Sequence, residues 1–317
     1  GGEYDVTVHG HVPIITAYLD NVLMDSKYMR KITAVKSWGK EKFSLLTSAF
    51  YGAGLKTVAP DTYHALDQVT DVRSLFMECS NLESVPADLF SEMKAVDFNS
   101  VFFGCSSLTE IPAGLFDKNT AVTSFVSTFK GTGIGTVPAG LFDKNAEVEC
   151  FESTFADCQY LESVHEGLFK NNTKVTSFNS TFSGTGLKTV PAGLFSTNTE
   201  VTDFDSVFYE SSLEVIPAGL FAASKKVETF ESAFNRTAVS EIPAGLFDSA
   251  VNAKSFKSTF YSCENLSSVP AGLFDKCVNV TSFNQTFNHC SSLTAVPTGL
   301  FDNCPLVEDV AMCFKDT

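Results

Sequence analysis

Residues Leu108–Gly131 read LTEIPAGLFDKNTAVTSFVSTFKG, and variants of this stretch recur along most of the chain. Phe129, Phe116 and Phe125 each belong to a column of phenylalanines that returns every 26 or 27 residues, and we call these the first, second and third columns. Together the columns hold 28 of the 30 phenylalanines in the sequence. Self-similarity at such a period indicates a solenoid, a propeller or a similar array, so the chain is not read as two ordinary domains.

The spacing within one repeat predicts a short helix. Val122, Phe125 and Phe129 lie three and four residues apart, which places them on one helical face. Asn119 is a candidate N-cap, and Gly131 suits the C-terminal end of such a helix. Two helical turns are marginal in water, so packing of the phenylalanines against neighbouring repeats must stabilise them.

The start of each repeat predicts a strand. Leu108–Ile111 precedes Pro112, which lacks an N–H and disfavours helix in the residue before it. We expect a very short parallel strand there, stacked between Leu82–Val85 and Ile134–Val137 of the adjacent repeats. Parallel strands need a crossover, and each crossover here is one repeat. A propeller blade needs roughly 40 or more residues, which excludes that architecture.

The predicted fold is therefore an α/β repeat. We expect a right-handed, leucine-rich-repeat-like solenoid of about ten 26–27-residue turns, with short parallel strands and short helices. Residues 43–317 form this solenoid, and residues 1–42 form an atypical N-terminal cap with strands at Tyr4–Val8 and Pro13–Leu19 and an irregular first rung at Ile32–Val35. Terminal repeats of a solenoid cover the apolar end that stacking leaves open. An independent small N-terminal domain is the alternative, and no polar cap is evident at the other end.

Composition narrows the classes of partner. The 317 residues include 22 Lys+Arg against 37 Asp+Glu, a formal net charge of −15. This balance argues against nucleic acid or an anionic lipid surface as the main partner. Hydrophobic residues make up 44% of the chain and charged residues 19%, which excludes wholesale disorder. No apolar stretch is long enough for a transmembrane helix.

Seven of the nine cysteines follow the repeat, Cys150 and Cys313 stand alone, and none lies in a metal or redox motif. The connectors that are one residue longer all carry a cysteine three positions after the first-column phenylalanine, namely Cys79, Cys105, Cys158, Cys263 and Cys290. Cysteine therefore tracks turn geometry, as a small, weakly polar buried side chain would. No CxxC and no zinc-like Cys/His spacing is present.

A second cysteine position belongs to a polar column. Cys277 and Cys304 occupy a site held elsewhere by asparagine, at Asn119, Asn145, Asn172 and Asn198. Stacked asparagines there are expected to bond to the backbone of the neighbouring coil. Adjacent cysteines such as Cys277 and Cys304 would lie about 5 Å apart, so a disulfide is the alternative to buried free thiols.

The sequence does not predict a catalytic, cofactor or metal site. A GxSxG elbow, a GxGxxG turn after a strand, a P-loop and an HExxH helix are all absent. His9 and His11 would share one face of a strand and could touch a metal together, although two polar residues on an exposed edge is the preferred interpretation. A column of aspartates beside the second phenylalanine column is interpreted as solvated turn residues.

Two surfaces are candidates for binding. Several strand segments place a charged residue on a stacked face of the kind that solenoids use for recognition: Glu83, Glu110, Glu162, Lys188, Glu214 and Glu241. The position directly after the first-column phenylalanine carries aromatic residues at scattered rungs: Tyr51, Phe103, Tyr209 and Tyr261. These rings could stack on sugars or on a protein partner, or merely cover the turns.

The consensus LTxVPAGLFDxNxxVTSFxSTFxGC resembles the repeats of bacterial surface proteins of the BspA-like leucine-rich class. It is similar also to the 26-residue surface repeat of mycoplasmas, whose core reads roughly VTNMSxMFxG. The segments VTSFNSTFSG at 175–184 and VTSFNQTFNH at 280–289 match that core, with Phe where it often has Met. The resemblance covers about residues 43–314 and does not extend to the N-terminal segment.

This resemblance implies a secreted or surface-anchored bacterial protein without enzymatic activity. It would bind a host or matrix protein or a glycan through the solenoid surface, as a monomer, with a lipid anchor on the precursor as one mode of attachment. The alternatives are a carbohydrate-capture module of a glycan-utilisation system and an intracellular effector scaffold. The sequence itself shows neither a signal peptide nor a lipidation cysteine.

Overall fold

The computed structural model describes residues 18–19, 22–23 and 26–317. The elements are β1 (Tyr18–Leu19), β2 (Val22–Leu23), α1 (Ser26–Met29), β3 (Ala34–Val35) and β4 (Thr57–Val58). Strands β1 and β2 pair antiparallel, and β3 and β4 pair parallel. Of the two strands predicted before residue 20, only the end of the second falls on described residues, as β1. The first, Tyr4–Val8, lies outside them, and so do His9 and His11.

The predicted irregular first rung is present in β3. Ala34 pairs with Thr57 and Val35 with Val58, so the parallel stacking begins before residue 43. Trp38 is buried and meets the ring of Phe50 edge-on, with centroids 6.0 Å apart. Its Nε1 donates a hydrogen bond of 2.8 Å to the carbonyl of Ala59. Residues 26–42 thus pack directly on the first coil, while the division at residue 42 stays a prediction.

The predicted short helices are wrong. In the described part of the chain the only helix is α1, and the segment from Val122 to Phe129 runs as consecutive turns. The N–H of Phe125 donates to Cys150 of the next repeat and that of Phe129 to Thr154, instead of to carbonyls four residues back. Serine and threonine dominate the segment, and such residues favour turns because their side chains compete for the backbone.

We call this segment, residues 124–131 and its equivalents, the turn ribbon. The ribbon contains two four-residue turns. In each of them the third residue has a positive φ, as a type II turn requires: 53° at Ser127 and 69° at Gly131. The N–H of Thr128 closes the first turn on Phe125, and that of Thr132 closes the second on Phe129, each at 3.1 Å. Gly131 therefore shapes a turn, where the sequence had suggested a helix end.

The predicted strands are reduced to isolated parallel bridges. Bridges such as Thr136 to Ser163 occur in this column, but Leu108–Ile111 takes part in none. A more continuous run of bridges lies just before the third phenylalanine column and passes from Ser124 to Cys150 and on to Ser177. The paired residues lie 26 or 27 positions apart, so successive repeats stack in register.

The core consists of stacked phenylalanine rings. Within a column the rings are nearly parallel, and the centroids of Phe129 and Phe155 lie 5.7 Å apart. Between columns the rings tilt, and Phe116 and Phe125 approach to 4.8 Å. Phe116, Phe125 and Phe129 are all fully buried. At about 1.5–3 kcal/mol for each buried phenylalanine, this stacking is the main stabilising contribution to the fold.

Two ladders of buried polar side chains run beside the rings. The amide of Asn145 donates to the carbonyls of Phe116 and Asn119 at 3.1 and 2.9 Å, so the predicted asparagine ladder is confirmed. Asn119 itself bonds to the preceding repeat in the same way and caps no helix. A threonine ladder was not predicted: Thr154 Oγ1 lies 3.0 Å from the carbonyl oxygen of Phe125 and 2.7 Å from that of Phe151, and these two acceptors share its one hydroxyl proton. Both ladders satisfy carbonyls that face the core.

Candidate interaction surfaces

The predicted strand face presents exposed charges on several of its rungs. The structure leaves the following residues exposed along this face: Glu83, Glu110, Glu162, Lys188, Glu214 and Glu241. Lys188 Nζ lies 3.1 Å from Glu214 Oε1, so these two residues pair across adjacent rungs. Val215, beside Glu214, is 56% exposed and adds an apolar spot to an otherwise acidic row. The face can therefore offer carboxylates to a ligand at several of its rungs.

The aromatic positions lie on the outer turns of the ribbons and are half-buried. This holds for each of the predicted residues Tyr51, Phe103, Tyr209 and Tyr261. Lys130 Nζ lies 5.8 Å from the centroid of the Phe103 ring, on the neighbouring turn. The charge of Lys130 therefore lies within cation–π distance of the Phe103 ring.

Two of the tyrosines flank an arginine. A shallow hollow of about 210 Å³ is lined by Tyr209, Asn235, Arg236, Ser258, Tyr261 and Gln285. Arg236 Nη1 lies 2.5 Å from Glu210 Oε1, and the hydroxyl of Tyr209 donates to the same oxygen at 2.9 Å. The hydrogen bond from Arg236 lowers the pKa of the Glu210 carboxyl. The hollow thus combines two ring faces with a guanidinium that Glu210 orients.

A larger groove lies on a third face that sequence reasoning missed. It has a volume of about 600 Å³ and is lined by Thr202, Lys226, Glu228, Asn252, Lys254, Asn279, Thr281 and Leu306. These side chains come from successive repeats and lie just before the run of parallel bridges. Hydroxyl, amide, carboxylate and ammonium groups are therefore all available along one line.

The groove walls are fixed by bonds between neighbouring repeats. Lys226 Nζ lies 2.5 Å from Glu200, and Lys254 Nζ lies 2.7 Å from Glu228. The amide of Asn252 donates to a backbone carbonyl of the preceding repeat at 2.9 Å. Opposite charges one repeat apart were visible in the sequence. That these charged residues line a groove was not visible in the sequence, because the position of a groove depends on how successive coils stack.

The thiols are unsuited to nucleophilic chemistry. All nine cysteines are free, so the disulfide alternative is not realised in this structure. Cys263 Sγ donates to the carbonyl of Phe234 of the preceding repeat at 3.0 Å, and burial raises the pKa of this thiol to about 12. Burial likewise raises the pKa of Cys277 to about 12. A thiolate is the reactive form, so these side chains serve packing.

No metal centre or membrane span is formed by the described residues. Within residues 26–317 and the two short strands before them, no three His, Cys, Asp or Glu side chains are grouped to hold a metal ion. The same part of the chain has no helix with the length and apolarity to cross a bilayer.

The pKa of the Asp205 carboxyl is raised, whereas that of Glu210 is lowered. Burial raises the pKa of Asp205 to about 6, and the nearby carboxylates of Asp203 and Glu231 contribute to the same direction. The hydroxyl of Thr229 and the N–H of Glu231 both donate to Asp205 Oδ1 and partly offset the shift. This carboxyl therefore keeps its proton closer to neutral pH than an ordinary aspartate does.

Comparison with known proteins supports the fold. No family model and no curated protein sequence matches the chain. A solved structure of the Toll–Spatzle complex from Drosophila matches with a TM-score of 0.55 and 17% identity, over 86% of this chain and 35% of that one. The chain therefore spans about a third of that protein. At this identity the match supports only the fold, a leucine-rich-repeat-like array.

Two bacterial proteins also match. A leucine-rich repeat protein from Bacteroides ovatus gives a TM-score of 0.47 and 18% identity, over 96% of this chain and 79% of that one. An internalin from Listeria monocytogenes matches with a TM-score of 0.46 and 9% identity, over 91% of this chain and 89% of that one.

Proposed function

We propose that the chain is a non-enzymatic interaction protein of the BspA-like repeat class that binds a protein ligand along its solenoid surface, outside a bacterial cell. The observation that carries the proposal is the groove around Lys226 and Lys254, which has a volume of about 600 Å³ and draws side chains from successive repeats. A surface assembled this way suits an extended ligand, because each coil adds one row of contacts. The buried, unreactive thiols support a role in binding rather than catalysis.

The polar character of the groove favours a polypeptide over a lipid or a nucleic acid. Its lysines pair with glutamates, so the groove offers both signs of charge next to amides and hydroxyls. Leu306 is 51% exposed at one end and supplies an apolar contact. Backbone amides and mixed side chains of a peptide match such a lining, whereas the overall acidity of the chain opposes polyanions.

Binding to a panel of matrix and cell-surface proteins, followed by titration of the strongest ligand, tests this function. The double variant Lys226→Glu/Lys254→Glu should weaken binding at least tenfold. Exposed ion pairs stabilise by only about 0–1 kcal/mol, so the variant should fold. Lys188→Glu reverses one lysine that is likewise paired with a glutamate, but on the strand face, and is the control; each of the single variants Lys226→Glu and Lys254→Glu is compared with it. If only Lys188→Glu abolishes binding, the strand face with Glu83, Glu110, Glu162, Glu214 and Glu241 is the ligand site instead.

Surface location is a separate part of the proposal. Mild protease treatment of intact producing cells should release solenoid peptides, and peptide mapping identifies them. Recovery of the protein solely from the cytosol would overturn the extracellular assignment and leave the intracellular scaffold as the working function.

The hollow between Tyr209 and Tyr261 favours carbohydrate capture as a second candidate. Its two half-buried rings and the oriented Arg236 guanidinium suit stacking on a sugar ring and contact with a sugar carboxylate or hydroxyl. Binding on a glycan array that is lost on Tyr209→Ala, and kept on Lys226→Glu/Lys254→Glu, would support this function. The same test extends to Tyr51 and Phe103, which occupy equivalent turns.

A further inference from the structure

The hollow beside Arg236 belongs to a column in which tyrosine and asparagine alternate. This column follows the first phenylalanine column by one position, and on four successive coils it carries Tyr209, Asn235, Tyr261 and Asn288. The N–H of Glu210 donates to the carbonyl of Asn235 at 2.9 Å, and the N–H of Arg236 donates to that of Tyr261 at 2.7 Å. The coils therefore stack in register here, and the two tyrosines lie two coils apart on the same face.

The asparagines are buried more deeply than the tyrosines beside them. Asn235 is 8% exposed and Asn288 is 1% exposed, whereas Tyr209 and Tyr261 are half-buried. The short side chain of Asn235 thus lines the low point between two rings. The Oδ1 atoms of both asparagines have no hydrogen-bond donor among the described residues. A buried acceptor without a donor costs free energy, and a ligand hydroxyl above Asn235 would satisfy it.

Both rings are held by neighbouring side chains. The hydroxyl of Tyr209 donates to Glu210 Oε1 at 2.9 Å. The ring of His289 meets that of Tyr261 edge-on, with centroids 5.4 Å apart. Side chains that are fixed before binding lose little conformational entropy when a ligand stacks on them, so these two rings form a prepared surface.

The charged groups at the hollow compensate one another. Arg236 and Glu210 form an ion pair through Nη1 and Oε1, at 2.5 Å. Arg236 Nη2 and Glu210 Oε2 take no part in these bonds, so the pair offers a donor and an acceptor side by side. A sugar hydroxyl uses both, because it donates one hydrogen bond and accepts others. The net charge of −15 over the whole chain further disfavours polyanions.

The step from coil to coil fits a linear sugar chain. Ring centroids in the adjoining phenylalanine column lie 5.7 Å apart between Phe208 and Phe234, and 5.3 Å apart between Phe234 and Phe260. An extended β-1,4-linked chain of pyranoses advances by a similar length for each sugar unit. Successive units of such a chain are turned over, so alternate units present the same face. Two rings that are two coils apart therefore match two alternate sugar units.

We propose that this column binds a neutral, linear, β-1,4-linked oligosaccharide of three or more units that lies along the solenoid axis. Tyr209 and Tyr261 stack on the two outer units. The Asn235 amide and the pair of Arg236 and Glu210 bind hydroxyls of the unit between them. The inference rests on the second function proposed for the chain, carbohydrate capture, and is independent of the groove at Lys226 and Lys254.

Isothermal titration calorimetry of the whole chain with β-1,4-linked glucose and mannose oligomers tests the proposal. Affinity in at least one series should rise at least tenfold from the disaccharide to the trisaccharide, because only the trisaccharide reaches both rings. The β-1,4-linked mannuronate trisaccharide has the linkage of the mannose trisaccharide and a carboxylate on every unit. It should bind at least tenfold more weakly than the better neutral trisaccharide.

Variants locate the site. Tyr209→Ala and Tyr261→Ala should each lower the affinity for the trisaccharide to about that for the disaccharide, since either change removes one stacking ring. Tyr160→Ala is the matched control, because Tyr160 is 70% exposed and lies outside this column, and its affinity should stay within twofold of the unchanged protein. Urea unfolding of the three variants checks that each one is folded.

The outcomes separate this inference from the function on which it rests. Equal affinity for disaccharide and trisaccharide, tighter binding of the mannuronate, or full affinity in Tyr261→Ala would overturn the inference. So would failure of both neutral series while other sugars on a glycan array bind, and carbohydrate capture would then stand. Absence of binding to every sugar on the array would remove carbohydrate capture and the inference together.

Discussion

At the scale of single residues, backbone strain recurs in this fold, because many residues other than glycine have a positive φ. Ser127 and its equivalents Ser100, Ser153 and Ser180 all occupy the left-handed region, with φ between 52° and 58°. Residues other than glycine are strained there by roughly 1–2 kcal/mol. The strain recurs in many repeats, because the turn that contains the serine directs the flanking phenylalanines into the core.

Replacing one of these serines by glycine should stabilise the protein. Ser127→Gly removes the strain but raises the conformational entropy of the unfolded chain by about 0.4–1 kcal/mol, so a net gain of roughly 0.5–1 kcal/mol is expected. Urea unfolding measures the change. Ser163→Gly, at an exposed position without positive φ, is the matched control and should destabilise. A loss of stability in Ser127→Gly would show that the serine side chain matters more than the backbone.

Asp205 should make stability depend on pH. Its pKa in the folded protein, about 6, lies above the ordinary value of 3.8. Between these values the folded state holds the proton more tightly than the unfolded chain, so stability falls as pH rises from about 4 to 6. Asp205→Asn should therefore raise the melting temperature at pH 7.5 and flatten the pH profile.

Asp309 is the control, because its pKa is shifted in the opposite direction to that of Asp205. The N–H of Ala311 and the amide of Asn284 lower the pKa of its carboxyl. Its contribution to stability is present above the unfolded pKa and is lost as pH falls through the folded one. Asp309→Asn should lower the melting temperature at pH 7.5. The same sign of change in both variants would contradict the assignment for Asp205.

At the scale of the repeat element, ring stacking and backbone direction act together. The second-column ring of Phe116 contacts Phe125 and Phe129 of its own repeat, while Phe142 stacks on it from the next. The ribbon N–H groups point along the same direction as the ring columns. A helix would satisfy those N–H groups internally and would leave adjacent coils held by side chains alone.

Removing one ring should test the stacked core. Phe129→Ala leaves a cavity in a fully buried column and should destabilise by about 3–5 kcal/mol in denaturant unfolding. Phe103→Ala is the matched control, because that ring is half-buried outside the columns, and its effect should be much smaller. Equal midpoints for Phe129→Ala and the unchanged protein would exclude the columns as the core.

At the scale of the whole molecule, the solenoid is held by contacts between adjacent coils. Trp38 is the sole tryptophan in the sequence and is buried against Phe43 and Phe50 at the N-terminal end. Its fluorescence therefore reports on one end of the array, while far-ultraviolet circular dichroism averages over all coils. Nearest-neighbour stabilisation predicts that the two ends can respond separately.

Destabilising the far end should separate the two signals. In Phe287→Ala, which lies near the C-terminal end, the circular dichroism transition should begin at lower urea, while the Trp38 midpoint shifts by less than half as much. Phe76→Ala, close to Trp38, should shift the fluorescence midpoint most. Identical shifts of both signals in both variants would mean that the solenoid unfolds as one cooperative unit.

The sequence by itself determined the repeat, its three phenylalanine columns and the asparagine ladder. These features follow from periodic side-chain burial, and residues such as Phe116, Phe125 and Asn145 show that period because they recur every 26 or 27 positions. The choice of buried thiols for the longer connectors was readable for the same reason.

Only the tertiary structure decided the course of the backbone and the position of the groove. The spacing of Phe125 and Phe129 fits a helix and a turn ribbon equally well, because both bring residues four apart to one side. What separates the two is the acceptor of each N–H, and for Phe129 it lies in Thr154, one repeat away. The groove at Lys226 and Lys254 depends in the same way on how successive coils curve, a property of the stack that no single repeat contains.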